Sequence, residues 1–119
     1  MSALAFIIED DQDLSTIFAD ALESVGYKVE QLKDGAKAQQ RLKEETPFLI
    51  LLDMHLPHIS GADLLKEIKA DDRFKDTYIM LTTADARLAE AYETTADFVM
   101  VKPISFVQLR DLTARLKPK

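Results

Sequence analysis

The sequence contains no cysteine and no tryptophan, and only three glycines and four prolines occur among its 119 residues. Without cysteine the chain forms no disulfide bonds and carries no thiolate chemistry. Such a composition is typical of a reducing compartment, so we expect a cytoplasmic protein. The small number of glycines and prolines, together with 47% hydrophobic residues, argues against a disordered chain.

Long apolar runs and dense basic clusters are also missing. The apolar run near the start, residues 3–8, is too short to span a bilayer and lacks the basic leading region of a signal peptide. The formal charge is −6, from 21 acidic and 15 basic residues. We therefore expect one domain over residues 1–119, with neither a membrane nor nucleic acid as a direct partner.

Short apolar runs alternate with amphipathic segments along the whole chain. The apolar runs predict strands over residues 3–8, 27–32, 47–52, 77–81 and 97–101. Helical spacing of apolar residues predicts helices over residues 14–25, 34–44, 60–68, 85–92 and 105–116. Ser60, Asp85 and Ser105 are suited to cap three of these helices. This alternation predicts an α/β fold, a doubly wound (βα)5 three-layer sandwich with a parallel sheet of order 2-1-3-4-5.

Polar side chains follow four of the predicted strands, where open parallel sheets place their functional groups. They are Glu9 and Asp10 after the first strand, Asp53 after the third, Thr82 after the fourth and Lys102 after the fifth. Two carboxylates about 4 Å apart repel by roughly 4 kcal/mol at an effective dielectric of about 20. Converging acids therefore need a proton or a cation, and carboxylate oxygens suit Mg²⁺.

The Asp53 carboxylate, in this setting, is suited to attack phosphorus and form an aspartyl phosphate. A metal ion would neutralise the transferred group, and Lys102 and Thr82 would hydrogen-bond its oxygens. The residues after the strands therefore predict phosphoryl transfer to Asp53.

Four motifs resemble the receiver domain of two-component response regulators, which has a flavodoxin-like fold. They are IIEDD (7–11), LILLDMHLPHISG (49–61), IMLTTAD (79–85) and VMVKPIS (99–105). The resemblance implies a phosphoacceptor at Asp53, with Thr82 and Lys102 contacting the phosphoryl group. It implies Mg²⁺ bound by Glu9, Asp10, Asp53 and the backbone carbonyl of Met54, and a cis Lys102–Pro103 bond.

The resemblance also implies a signalling domain that catalyses only its own phosphorylation and slow dephosphorylation, rather than an enzyme. The phosphoryl donor would be a sensor histidine kinase or a histidine phosphotransfer protein. The phosphorylated domain would control an output domain or a downstream protein partner. The resemblance also allows a dimer that forms on phosphorylation.

Several positions depart from the usual pattern of this family. Val99 stands where an aromatic switch residue is usual, Thr83 where a small residue is usual, and Thr95 where glycine is usual. The interval from Thr82 to Lys102 is also short. These positions flank the predicted fourth helix, so the resemblance implies the chemistry more firmly than the conformational change.

Three alternatives remain beside this interpretation. An aspartate-based phosphatase typically has a second Asp two residues after its nucleophile, but that position is His55, where receiver domains often tune the phosphoryl lifetime. A flavodoxin-like cofactor binder has a Gly/Ser/Thr-rich first loop, whereas the acids at 9–11 would repel phosphate. A degenerate receiver would act as a phosphorylation-independent binding module. His55 and His58, with no further His or Cys, do not form a zinc site.

Overall fold

A computed structural model describes residues 3–117, and within that range five strands alternate with five α-helices. The elements are β1 Leu4–Ile8, α1 Gln12–Ser24, β2 Lys28–Leu32, α2 Gly35–Glu44, β3 Leu49–Asp53, α3 Gly61–Lys69, β4 Tyr78–Thr83, α4 Ala86–Ala91, β5 Phe98–Val101 and α5 Phe106–Leu116. A 3₁₀ helix at Asp72–Phe74, which the sequence did not predict, precedes β4. All neighbouring strands are parallel and their order is β2-β1-β3-β4-β5. The predicted doubly wound fold is confirmed.

Two apolar layers enclose the sheet, one on each face. On one face Ile50 packs with residues of α2 and α3, including Leu64. On the other face Leu51 packs with residues of α1 and α5, including Phe18. All five positions of β3 are buried, which explains its nearly unbroken apolar run. Burial of each such Leu or Phe side chain stabilises the fold by about 1.5–3 kcal/mol, so the central strand is firmly anchored.

The third and fourth strands extend further than the sequence predicted. We expected them to end at residues 52 and 81, but β3 ends at Asp53 and β4 at Thr83. The ladder continues because Asp53 is the register partner of Thr82, and Thr83 is the partner of Val101. Asp53 and Thr82 are therefore strand residues rather than loop residues, and the sheet itself holds their backbones.

Capping side chains define the starts of the helices. The predicted caps Ser60 and Ser105 accept hydrogen bonds from the third residue of their helices, at 3.1 and 3.0 Å. The predicted cap Asp85 accepts from the first turn of α4 at 2.9 Å. Asp11 and Asp34 cap α1 and α2 in the same way.

Among residues 3–117, none of the helices combines the length and apolar character needed to cross a bilayer.

The loop between β3 and α3 contains a backbone conformation that is unfavourable for most side chains. His58 has a φ of 70°, in the left-handed region. We expect unfolding stability to fall in the order His58→Gly, wild type, His58→Val. The free energies of unfolding of the Gly and Val variants should differ by about 1–2 kcal/mol. The left-handed conformation is unfavourable for a residue with a Cβ atom and most unfavourable for a β-branched residue. Urea unfolding measures this order, and equal stability of the Gly and Val variants would contradict the left-handed assignment.

Candidate functional site

Three carboxylates meet at the carboxyl edge of the sheet, as the sequence predicted. Glu9 follows β1 and is 2% exposed, Asp53 ends β3 and is 3% exposed, and Asp10 is exposed. One carboxylate oxygen from each residue lies within 4.8 Å of the others. Because β1 and β3 are neighbours in the sheet, their carboxyl ends bring these acids together. Such a cluster has the hard oxygen atoms that a divalent cation binds.

Lys102 enters the cluster from the loop after β5. Its Nζ donates to Glu9 Oε1 at 2.9 Å and lies 3.5 Å from Asp53 Oδ1. Its backbone N–H donates to the Thr83 carbonyl at 2.8 Å, and its bond to Pro103 is cis, as the resemblance implied. The sequence predicted that Lys102 faces the acids, but not that Glu9 is its closer partner.

The buried Glu9 carboxyl has a strongly shifted proton affinity. Burial is the main cause that raises its pKa, from 4.5 to about 7; the nearby charge of Asp53 adds to this, and the hydrogen bonds from Lys102 and the Asp11 backbone oppose it. Burial lowers the pKa of Lys102, but its hydrogen bond to Glu9 and the charge of Asp53 outweigh this and raise it overall. Glu9 therefore exchanges a proton near neutral pH in the metal-free protein, while Lys102 stays charged.

The carboxylate oxygens differ in how far protein groups already occupy them. Both oxygens of Glu9 accept hydrogen bonds, from Lys102 and from the Asp11 backbone. Asp53 Oδ1 accepts from the His55 N–H at 3.1 Å. Within residues 3–117, no hydrogen bond reaches Asp53 Oδ2 or the Asp10 carboxylate. These are the oxygens available for a cation or for attack on phosphorus.

Thr82 lies beside Asp53 in the sheet. The two residues are register partners on adjacent parallel strands, so their side chains point to the same face. Thr82 is 1% exposed, and its hydroxyl makes no hydrogen bond to any group of residues 3–117. The side chain is therefore held at the site while its hydroxyl hydrogen is free to meet a ligand.

The backbone carbonyls that follow Asp53 are not equivalent. The Met54 carbonyl accepts a hydrogen bond from the Gly61 N–H at 3.3 Å. The His55 carbonyl, in contrast, accepts none from residues 3–117. The metal ligand predicted at Met54 stays a prediction, with one of its two lone pairs already engaged.

One contact at this edge was missed by the sequence reasoning. Nε2 of His55 lies 3.1 Å from the hydroxyl of Thr83, which is fully buried. The sequence shows Thr83 as a departure from the family pattern and His55 as a position that often tunes the phosphoryl lifetime, but it does not indicate that the two are in contact. Only the pairing of β3 with β4, with Asp53 opposite Thr82, brings them into reach.

The sequence of this chain is similar to a known family of proteins. A family model described as the response regulator receiver domain matches residues 5–114. The dual master transcriptional regulator RpaA of Synechocystis is 30% identical over 93% of the chain, and the chain covers 46% of it. The transcriptional regulatory protein CrdR of Helicobacter pylori is 34% identical over 98% of the chain, which covers 54% of it. The chain thus spans about half the length of these two relatives.

A solved structure gives the same picture of the fold. The chemotaxis response regulator CheY4 of Vibrio cholerae superposes with a TM-score of 0.88. The match covers 98% of this chain and 99% of CheY4, at 21% sequence identity. At this identity the similarity shows a shared fold.

Proposed function

Because this chain belongs to the family of response regulator receiver domains, we propose that Asp53 accepts a phosphoryl group from a histidine kinase or a histidine phosphotransfer protein. The observation that carries the proposal is the position of the Asp53 carboxylate. It is buried at the end of the central strand, beside Lys102, and its Oδ2 accepts no hydrogen bond from residues 3–117. A bond forms between an Asp53 oxygen and phosphorus, and the bond from phosphorus to the donor's imidazole nitrogen breaks.

Lys102 and Thr82 stabilise the transferred group in this proposal. The Lys102 ammonium lies 3.5 Å from Asp53, so it offsets the negative charge that the phosphoryl oxygens bring. Glu9 holds that ammonium in place through its 2.9 Å hydrogen bond. The free hydroxyl of Thr82 donates to a phosphoryl oxygen from the neighbouring strand.

The donor set fits Mg²⁺. Asp10 and Asp53 supply carboxylate oxygens that accept no hydrogen bond from residues 3–117, and Glu9 adds charge next to them. The backbone ligand is the Met54 carbonyl or, because it accepts no hydrogen bond from residues 3–117, the His55 carbonyl. Bound Mg²⁺ supplies positive charge that stabilises the phosphoryl oxygens during transfer.

We expect Asp10→Asn to weaken Mg²⁺ binding by about tenfold or more, because loss of even an indirect partner of a metal costs about 10–100-fold. Asp13→Asn is the matched control, since this acid is also exposed and lies on α1, outside the carboxylate cluster. Isothermal titration of both variants with Mg²⁺ measures the difference. Equal affinities would remove Asp10 from the metal site.

Phosphorylation then acts as a switch in the proposed function. Thr82 moves toward the phosphoryl group and the flanks of α4 rearrange, which shifts a two-state equilibrium. The rearranged surface controls an output domain, a protein partner or a second copy of the chain. Val99, at the usual aromatic position, is half-buried against the α2–α3 side of the core, so its movement changes packing rather than a hydrogen bond.

Acetyl phosphate with Mg²⁺ tests the proposal directly, because it replaces the unidentified protein donor. Intact-mass spectrometry should show a gain of one phosphoryl group. The alternative, a degenerate receiver that acts only by binding, is favoured by the altered residues around α4. Absence of any mass gain would overturn phosphoryl transfer in favour of that alternative.

A further inference from the structure

The side chains of His55 and Thr83 contact each other at the edge of the candidate site. Nε2 of His55 lies 3.1 Å from the Thr83 hydroxyl, although the residues are 28 positions apart in the chain. Thr83 is the last residue of β4 and is fully buried, whereas His55 is exposed in the loop after β3. The contact therefore ties an exposed loop to the buried end of a neighbouring strand.

This contact is the middle part of a longer chain of hydrogen bonds. On one side, the His55 N–H donates to Asp53 Oδ1 at 3.1 Å. On the other side, the Thr83 hydroxyl accepts from the Asp85 N–H at 3.0 Å. The Asp85 carboxylate in turn accepts from two backbone N–H groups in the first turn of α4, at 2.9 and 3.3 Å. The chain thus runs from the carboxylate of Asp53 to the start of α4.

The hydroxyl of Thr83 can form the hydrogen bond to His55 with either neutral tautomer of the imidazole. A hydroxyl has one donor and two acceptor positions, and Asp85 occupies one acceptor position. The hydroxyl then donates to an unprotonated Nε2 of His55 or accepts from a protonated one. The hydrogen bond between His55 and Thr83 therefore does not depend on which tautomer is present.

The contacts of Thr83 hold the end of β4 and the start of α4 in the conformation described. Thr83 directly follows Thr82 on β4, and its hydroxyl bonds both His55 and the N–H of the α4 cap Asp85. A rearrangement of the flanks of α4 that displaces Thr83 breaks the contact with His55. It also strains the hydrogen bond from Lys102 N–H to the Thr83 carbonyl, 2.8 Å long.

We propose that His55 and Thr83 form a latch that favours the unphosphorylated position of Thr82 and of the start of α4. The proposal rests on the proposed phosphorylation of Asp53. Both are positioning residues whose side chains act through Thr82 and α4. One hydrogen bond of this kind shifts a two-state equilibrium by about twofold to tenfold, so the latch sets how readily the protein switches.

The test measures binding of beryllofluoride, a phosphoryl mimic, with saturating Mg²⁺ to the full chain. His55→Ala and Thr83→Val should each bind it about twofold to tenfold more tightly than wild type, because each removes one end of the same hydrogen bond. The double variant should bind no more tightly than the better single variant. Thr83→Ser keeps the hydroxyl and should retain wild-type affinity. His55 is exposed, so folding of His55→Ala is not at risk.

Hydrogen exchange provides a second measurement on the same proteins. Without beryllofluoride, amides at the start of α4 should exchange faster in both single variants. Unchanged or weaker beryllofluoride affinity in both variants, or fully additive effects, would overturn the latch while leaving phosphoryl transfer intact. Failure of the wild type to bind beryllofluoride would overturn both proposals.

Discussion

Asp53→Asn is expected to abolish phosphoryl incorporation from acetyl phosphate and Mg²⁺, whereas the wild type gains one phosphoryl group. An amide carries no charge and is a poor nucleophile toward phosphorus. Neither neighbouring acid can replace Asp53 as the phosphoacceptor. Both oxygens of Glu9 are engaged by hydrogen bonds, and Asp10 is exposed and forms neither a hydrogen bond nor an ion pair with Lys102. Intact-mass spectrometry of both proteins under identical conditions measures the difference.

Asp11→Asn is the control for this experiment. Asp11 is the acid next to the cluster, but its side chain caps α1 by accepting from Leu14 N–H at 3.1 Å. Asn is an equally good helix cap, so this variant should be phosphorylated like the wild type. A mass gain in Asp53→Asn equal to that of the wild type would place the acceptor on another residue.

The metal-free protein is expected to lose stability as the pH rises from about 4.5 to about 7, through the titration of Glu9. Burial and Asp53 raise the pKa of Glu9 from 4.5 to about 7, so the folded state binds this proton more tightly than the unfolded state. The stabilisation is complete below the unfolded pKa and is lost as the pH passes the folded pKa. A shift of this size corresponds to about 3 kcal/mol of unfolding free energy.

Glu9→Gln isolates this contribution, because the amide fills the same space and still accepts a hydrogen bond from Lys102. Urea unfolding in the presence of EDTA, repeated across the pH range, should give a decline for the wild type that is absent in the variant. The same slope in both proteins would assign the titration to another group. Added Mg²⁺ should reverse the decline in the wild type, since metal binding favours the ionised carboxylate.

The order of elements and the identity of the charged cluster were predictable from the sequence. An unbroken apolar run such as 49–52 predicts a strand buried on both faces, and strict alternation with helices predicts a parallel sheet. The carboxyl ends of parallel strands share one edge. The approach of Glu9, Asp10 and Asp53 followed from the pairing of neighbouring strands, and Lys102, after a strand further along the sheet, was expected at the same edge.

The strand ends were less predictable, because hydrogen-bond register decides them. Asp53 and Thr82 have the polar character of loop residues, but each continues the ladder because its register partner is the other. A local pattern contains no information on which residue of a distant strand lies opposite. The predicted ends at residues 52 and 81 were wrong for this reason.

By itself the sequence determined that a cluster of charged residues lies at the carboxyl edge of a doubly wound sheet, since residue types and their periodicity are local properties. The tertiary structure decided which groups touch. It placed Lys102 Nζ closer to Glu9, at 2.9 Å, than to Asp53, at 3.5 Å, and it left the Asp10 carboxylate and Asp53 Oδ2 without a hydrogen bond from residues 3–117. It also joined His55 to Thr83. Contacts of this kind depend on distances of a few ångströms between segments far apart in the chain, and only the packed sheet sets those distances.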